Sequence, residues 1–288
     1  MSSIQENVIA ISLAFTRYLY QMIEVKQSLF ISLLEHNPEE ALYWTYELYY
    51  SGFEKEVYDY ILLVYNTIYK NFHPTLQTTI VEKYQKWTEK GTCQETDTDI
   101  GSIVYTLALR SYYMDDFMRT YLNVNIKPQE QSNEPSSQFI VKLTPDYIKP
   151  YQTYTVSTVH AYRILEQTVK YPVKKEYNRL FSTFTHENFP EAYRKKWLYF
   201  ASFSPIWYER IIGCNGRIDY DTEQVIFDCD EDEDTFRSVW DYEPDEVPIS
   251  VYLKSVGSGT EHMLSVKEFC EKYNLTIHSR IIKKPHKK

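Results

Sequence analysis

Glycine is scarce, with only 7 in 288 residues. Phosphate-cradling loops and strained catalytic turns depend on glycine because it reaches positive φ without a steric cost, so the shortage argues against a nucleotide enzyme. The Gly257-Ser258-Gly259 run lacks the Lys-Ser/Thr that completes a Walker motif, and Ser258 lacks the surroundings of a nucleophile elbow. The four cysteines (Cys93, Cys214, Cys229 and Cys270) lie far apart with no CxxC or CxH spacing, which predicts reduced thiols. The 7 histidines include no HExxH and no pair at helical spacing, so no zinc site is expected. No stretch approaches the roughly 20 apolar residues of a membrane span. The start, MSSIQENVIAISLAF, has neither a basic leader nor a small-residue cleavage site, and no secretory signal is expected.

Tyrosine, by contrast, is abundant, with 28 residues in a chain that is 43% hydrophobic. Its ring fills a core while its hydroxyl requires a partner at the edge, which suits helix-packing surfaces and interfaces. An AT-rich genome would give the same surplus without functional meaning. The net charge of −9 is unevenly spread: residues 1–143 and 217–288 are acidic, and residues 144–216 are basic. An acidic chain with one basic block is a poor general nucleic-acid binder, because phosphate neutralisation needs a positive surface.

Apolar spacing predicts a mainly α protein, an antiparallel helical bundle or repeat-like array with a small α+β portion at its C-terminal end. One long helix over 6–34, or two with a kink near Lys26, is expected. A helical hairpin follows over 37–72, begun by an Asn37 cap with Pro38 in the first turn, broken at Gly52 and stopped at His73-Pro74. Further helices are expected over 75–87 and 99–121, separated by a polar loop over 92–98. Residues 1–126 read as an N-terminal helical domain and 127–138, KPQEQSNEPSSQ, as a linker. A second helical region spans 139–213, opening with an extended piece at 139–143 and continuing with helices over 151–171 and 173–184. Pro190 and Pro205 start the helices that follow. Residues 214–282 read as a small α+β region: a hairpin in GRIDYDTEQVIFDCD, a short helix over 235–241, a strand at 248–256, a helix capped by Ser265 and a last strand at 276–282. Residues 283–288 form a basic tail.

Three clusters could carry chemistry. Asp228, Asp230 and Asp232 are spaced like calcium ligands, but the glycine position of a calcium loop holds Glu233 and the twelfth position Val239, so a solvated acidic loop is the plainer reading. Arg194, Lys195 and Lys196 stand beside Trp197, Tyr199, Phe200, Phe203 and Trp207, a mixture that grips single strands by charge and stacking. The same spacing also describes an ordinary amphipathic helix with its rings buried. Tyr43, Tyr46, Tyr50 and Tyr58 fall off the apolar faces assigned to the hairpin and are the candidate partner-binding residues. Cys270 and His262, eight positions apart, would need to meet in space to act as nucleophile and base.

ALYWTYELYYSGFE at 41–54 and KKWLYFASFSPIWYERI at 195–211 resemble segments of uncharacterised proteins of giant nucleo-cytoplasmic large DNA viruses, whose AT-rich genomes also favour tyrosine. The resemblance implies a viral source and a place in the host cytoplasm, the viral factory or the virion, and brings no catalytic residue with it. PEEALYWTYELYYSG is also similar to a collar helix of clamp-loader-like ATPases, a likeness of helix packing alone in a chain without a Walker motif. The expectation is a non-enzymatic interaction or scaffold protein without a cofactor, binding viral or host proteins or its own copies. The alternatives are accessory nucleic-acid binding by the block 144–216, masked by the acidic segment 228–246, and a divalent-metal-dependent enzyme.

Overall fold

The computed structural model describes residues 14–130, 139–152, 170–176, 189–240, 247–258 and 262–281. The architecture is mainly α, with two small antiparallel two-stranded sheets. Among the described residues no helix is long and apolar enough to cross a membrane.

The predicted hairpin has the punctuation its sequence carries. Helix α1 (Met22–Leu34) leads into α2 (Pro38–Tyr49), where the Asn37 side chain accepts the Glu40 N–H at 3.2 Å and Glu39 and Glu40 occupy the favourable first turn. Gly52, at φ +89°, closes α2 in a Schellman arrangement: its N–H bonds Tyr49 O and the Phe53 N–H bonds Leu48 O. Helix α3 (Glu54–Val64) continues into a π-helical turn over Tyr65–Tyr69, so the second arm is not uniformly α-helical. After α4 (Leu76–Lys90), helix α5 spans Gln94–Leu109, beginning inside the predicted 92–98 loop. Its cap is Cys93, whose N–H bonds Thr96 Oγ1 at 2.9 Å; cysteine is an unusual cap, which explains the misplaced boundary. The chain then makes a single turn, α6 (Asp115–Phe117), with a π turn over Met118–Leu122, and strand β1 (Val124–Ile126).

Residues 139–143 are extended, as expected, but they lie along α5. Val141 N–H bonds Thr106 Oγ1 at 2.8 Å and Leu143 N–H bonds Ser102 Oγ at 3.0 Å, so helix hydroxyls replace a strand partner. A short helix α7 (Pro145–Ile148) follows. The helix predicted over 151–171 lies mostly outside the described residues, as do residues 131–138 of the linker. Residues 173–176 are described and are not helical.

The later elements are α8 (Phe189–Lys195), α9 (Trp197–Ala201), α10 (Pro205–Gly213), the hairpin β2 (Gly216–Asp219) and β3 (Gln224–Phe227), and α11 (Asp230–Trp240). The predicted strand at 248–256 is instead a helix, α12 (Ile249–Val256). Its β-branched content reads as strand, yet Val251, Ser255 and Val256 share the buried side of a helix entered from Pro248. Helix α13 (Val266–Lys272) carries the complete capping box from Ser265, and β4 (Ile277–Arg280) ends the described chain.

Two cores form, and they do not follow the partition read along the sequence. The first gathers α1–α6 with Leu143, Ile148, Tyr151 and Val173, and also takes Phe269, Cys270, Tyr273 and Leu275 from around α13. Strand β4 pairs antiparallel with β1, Val124 opposite Arg280, so the end of the chain returns to the first body. The second core joins α8–α12 and the hairpin to Phe15 and Leu19 from the other end of the chain. The 214–282 region is therefore split between cores, and 1–126 is not closed on itself.

Residues 14–21 are the joint. The predicted helix over 6–34 does not extend through them: Phe15 bridges to Gln21 and Leu19 stands at φ +62°, so the chain reverses before α1. Ala14, Tyr18 and Tyr20 enter the first core while Phe15 and Leu19 enter the second. Between them Arg17 is buried, its Nε on Glu47 Oε2 at 3.0 Å and its Nη2 on Tyr151 O at 2.8 Å. Across the joint, Trp207 Nε1 donates to Thr16 O at 3.1 Å and the Ile206 N–H reaches Ser51 O at 3.3 Å.

Candidate functional site

The four candidate interface tyrosines do not form an exposed surface, which corrects the reading made from their spacing. Tyr43, Tyr46 and Tyr58 are buried, and Tyr50 is half-buried. Helix α2 is packed on by α1, α5 and the turn at 149–151, and Glu40 to Tyr49 are all buried. Tyr43 Oη lies 3.1 Å from Tyr20 Oη, Tyr46 Oη donates to Asp97 O at 2.7 Å, and Tyr50 Oη donates to Asp97 Oδ2 at 3.0 Å. The Tyr58 ring stacks on Tyr84 at 5.1 Å. Burial pushes the hydroxyls of Tyr43, Tyr46 and Tyr58 well above the ordinary tyrosine range, and all three stay protonated.

The acidic run does not build a metal site. Asp230 opens α11 and the carboxylates that follow fill its first turn, where the helix dipole favours negative charge. Asp232 takes the Asn215 amide at 2.9 Å and the Cys229 thiol at 3.1 Å, bonds that hold its carboxyl below the usual range, the thiol's first. Among the described residues no group of three or more His, Cys, Asp or Glu side chains converges as a metal site, so Asp228, Asp230 and Asp232 stand apart as ligands. The Cys270–His262 pairing fails as well. Cys270 is buried, with its thiol pushed up by that burial, and His262 is exposed with Nε2 at 3.0 Å from Glu268 Oε1.

The basic–aromatic block folds across three short helices, α8, α9 and α10. Trp207 is fully buried and Tyr199 and Phe200 nearly so, with Trp197 and Phe203 half-buried against them. The cations turn outward, and two of them are matched by carboxylates: Lys195 Nζ lies 3.0 Å from Glu191, and Lys196 pairs with Glu223. Arg194 lies over the Tyr252 ring at 4.9 Å.

A groove of about 270 Å³ opens beside this block, between α8–α9, the β3 strand and α11. Its floor is aromatic: Trp197, Tyr199, Phe227 and Phe236 line it, and Phe227 and Phe236 meet at 5.1 Å. Its rim carries Lys195, Lys196 and Glu223 on one side and Arg237, which bonds Glu233 at 2.9 Å, on the other. Sequence reasoning found the first wall and missed the second, because Phe236 and Arg237 stand on α11 and meet β3 through tertiary packing that local spacing does not encode. The alternation of Val225 and Phe227, which sets both side chains on one face of β3, was the available signal.

Comparison of the chain with protein-family models, with curated proteins and with solved structures gives no match.

Proposed function

We propose that the protein is a non-enzymatic interaction protein and that the groove between α9, β3 and α11 receives an apolar or aromatic side chain of a viral or host partner. The observation that carries this reading is the aromatic floor closed on two sides by rims of charge. The volume suits one large side chain, and burying one there contributes on the order of 2 kcal/mol, the scale of an interface anchor. Each rim cation already faces a carboxylate: Glu191, Glu223 or Glu233. Exposed pairs of this kind are worth about 0–1 kcal/mol, so acidic residues flanking a partner's anchor can exchange with them at little cost and set its orientation. A phosphate backbone would have to displace the same carboxylates repeatedly, which disfavours nucleic acid as the ligand.

The test is affinity capture with the wild-type chain and with a Val225→Trp variant that fills the groove, each partner then confirmed as a purified protein by calorimetry. Capture lost in Val225→Trp and kept in the remote variant Tyr147→Ala supports the reading. Equal capture by both variants, or a monodisperse monomer that captures nothing, overturns it.

A further inference from the structure

The mouth of the β2–β3 hairpin holds two cysteines in a relation that their distance along the chain conceals. The ladder pairs Asp219 with Gln224, Ile218 with Val225, Arg217 with Ile226 and Gly216 with Phe227. Cys214 and Cys229 each lie two residues beyond the last of these pairs, one on either arm. Opposed residues of the ladder have Cα atoms about 4.5–5.5 Å apart, so the Gly216–Phe227 pair brings the two arms within the roughly 4.4–6.8 Å that a disulfide spans. The ladder itself ends at Gly216, because Asn215 turns at φ +55° to meet the end of α10. One side chain nevertheless holds the two arms together beyond that point. Asp232 accepts from Asn215 Nδ2 at 2.9 Å with one oxygen and from Cys229 Sγ at 3.1 Å with the other. Asp232 thereby ties Asn215, the chain neighbour of Cys214, to Cys229. Cys229 is exposed and Cys214 partly so, while Cys270 is buried and Cys93 caps α5 on the first body. All four are free thiols.

We propose that Cys214 and Cys229 form an intrachain disulfide across the hairpin mouth when the protein meets a small-molecule disulfide of the glutathione class. The exposed Cys229 loses its proton to solvent, and its thiolate attacks one sulfur of the oxidant, forming a mixed disulfide and releasing one small-molecule thiolate. Cys214, deprotonated in turn, attacks the Cys229 sulfur and expels the second thiolate. The two released thiolates take up protons, so the protein loses two hydrogens and the oxidant becomes two thiols. The bond ties the end of α10 to the start of α11 and fixes the hairpin between them. Both thiols are held in the protonated form, Cys229 by its hydrogen bond to Asp232. The reaction is accordingly slow at neutral pH, and its rate rises about tenfold per pH unit below the thiol pKa values.

The experiment treats the full chain with oxidised glutathione at several values between about pH 7 and about pH 9, alkylates the remaining thiols, and maps the digest by mass spectrometry without reduction. The expected result is a monomer that has lost two of its four alkylatable thiols, with the Cys214 and Cys229 peptides joined and two hydrogens missing. Cys229→Ser, at an exposed position, is expected to keep its remaining thiols free of any protein disulfide. Cys93→Ser is expected to behave as wild type. A stable glutathione adduct on Cys229 with Cys214 still alkylated overturns the proposal, as does a bond from either residue to Cys93, to Cys270 or to a second chain.

Discussion

In the first core many of the large side chains are tyrosines, and several set their hydroxyls on backbone carbonyls of neighbouring segments: Tyr46 on Asp97, Tyr60 on Lys26, Tyr65 on His73 and Tyr112 on Leu34. The second core is packed chiefly by Phe and Trp rings, such as Phe15 on Phe200 at 5.8 Å and Trp197 against Trp207 at 5.5 Å, on helices of seven, five and nine residues. A tyrosine spans more distance than a phenylalanine and satisfies a carbonyl at the far end, so it suits long helices that must also cover turns and helix ends. The difference teaches what the tyrosine surplus does: much of it is consumed inside the first body. The second body, built of short elements, leaves the groove open.

The strongest way to break this comparison is at the joint that both bodies share. Glu47 is fully buried and is the carboxylate partner of buried Arg17; its oxygens also take the Tyr18 N–H at 3.1 Å. Glu47→Ala leaves a buried guanidinium without its carboxylate and is expected to lower stability by about 3–5 kcal/mol in urea unfolding. Replacing both partners by apolar residues, Arg17→Met with Glu47→Leu, should recover most of the loss. If Glu47→Ala costs less than about 1 kcal/mol, the joint does not hold the bodies together. Two separate transitions in the variant would show that each core can fold without the other.

A smaller effect is expected at Gly52, where the bodies touch directly. A Cβ there would sit 2.5 Å from Pro205 Cβ, and the residue stands at φ +89°. Gly91 also stands at positive φ, +70°, but with ψ −165°, and nothing lies within 4 Å of its Cβ position. Gly91→Ala therefore measures backbone strain without a collision, at least about 1 kcal/mol. Gly52→Ala adds the collision with α10 and should cost a further 1–2 kcal/mol or so. Equal losses in the two variants would mean that the contact between the bodies yields freely.

How much of this could be read beforehand follows from the range of the forces involved. Asn37, Pro38, Gly52, Ser265 and the β2–β3 turn act within a few residues, and each ends or starts an element where the sequence said it would. Failures came where tertiary contact decides. Val251 and Val256 suit either a strand or a helix until a core chooses between them. The return of Phe269 and β4 to the first body has no local signal, nor does the entry of Phe15 and Leu19 into the second. Tyr43, Tyr46 and Tyr58 looked spare because two faces of α2 and α3 seemed enough, whereas neighbouring segments also cover the sides on which these three lie. Of the groove, the wall from Lys195 to Tyr199 is the longest contiguous stretch, and the rest comes from separate pieces around Val225 and Phe236.

The smallest expected effect sharpens the assignment of α13 to the first body. The Glu268 carboxyl is held down to about 2 by its bonds to Ser265 and then by His262. An unperturbed glutamate lies at about 4.3. A group whose folded pKa is depressed contributes stability above its unfolded value and loses that contribution as pH falls through the folded one, so the window runs from about 4.3 down to about 2. Because the side chain is exposed, the effect is local: the capping box loosens and the first turn of α13 frays before Phe269 leaves the core. Carboxyl NMR titration should place Glu268 near 2, with amide exchange in 266–268 speeding up across that window. Glu268→Gln, which keeps a capping side chain without the charge, should remove the pH dependence and leave exchange deeper in α13 tied to the first core. If Glu268 titrates as an ordinary glutamate, the cap is not closed in solution, and α13 must be held to the first body by the packing of Phe269, Cys270 and Tyr273 and by the Lys272–Glu35 ion pair.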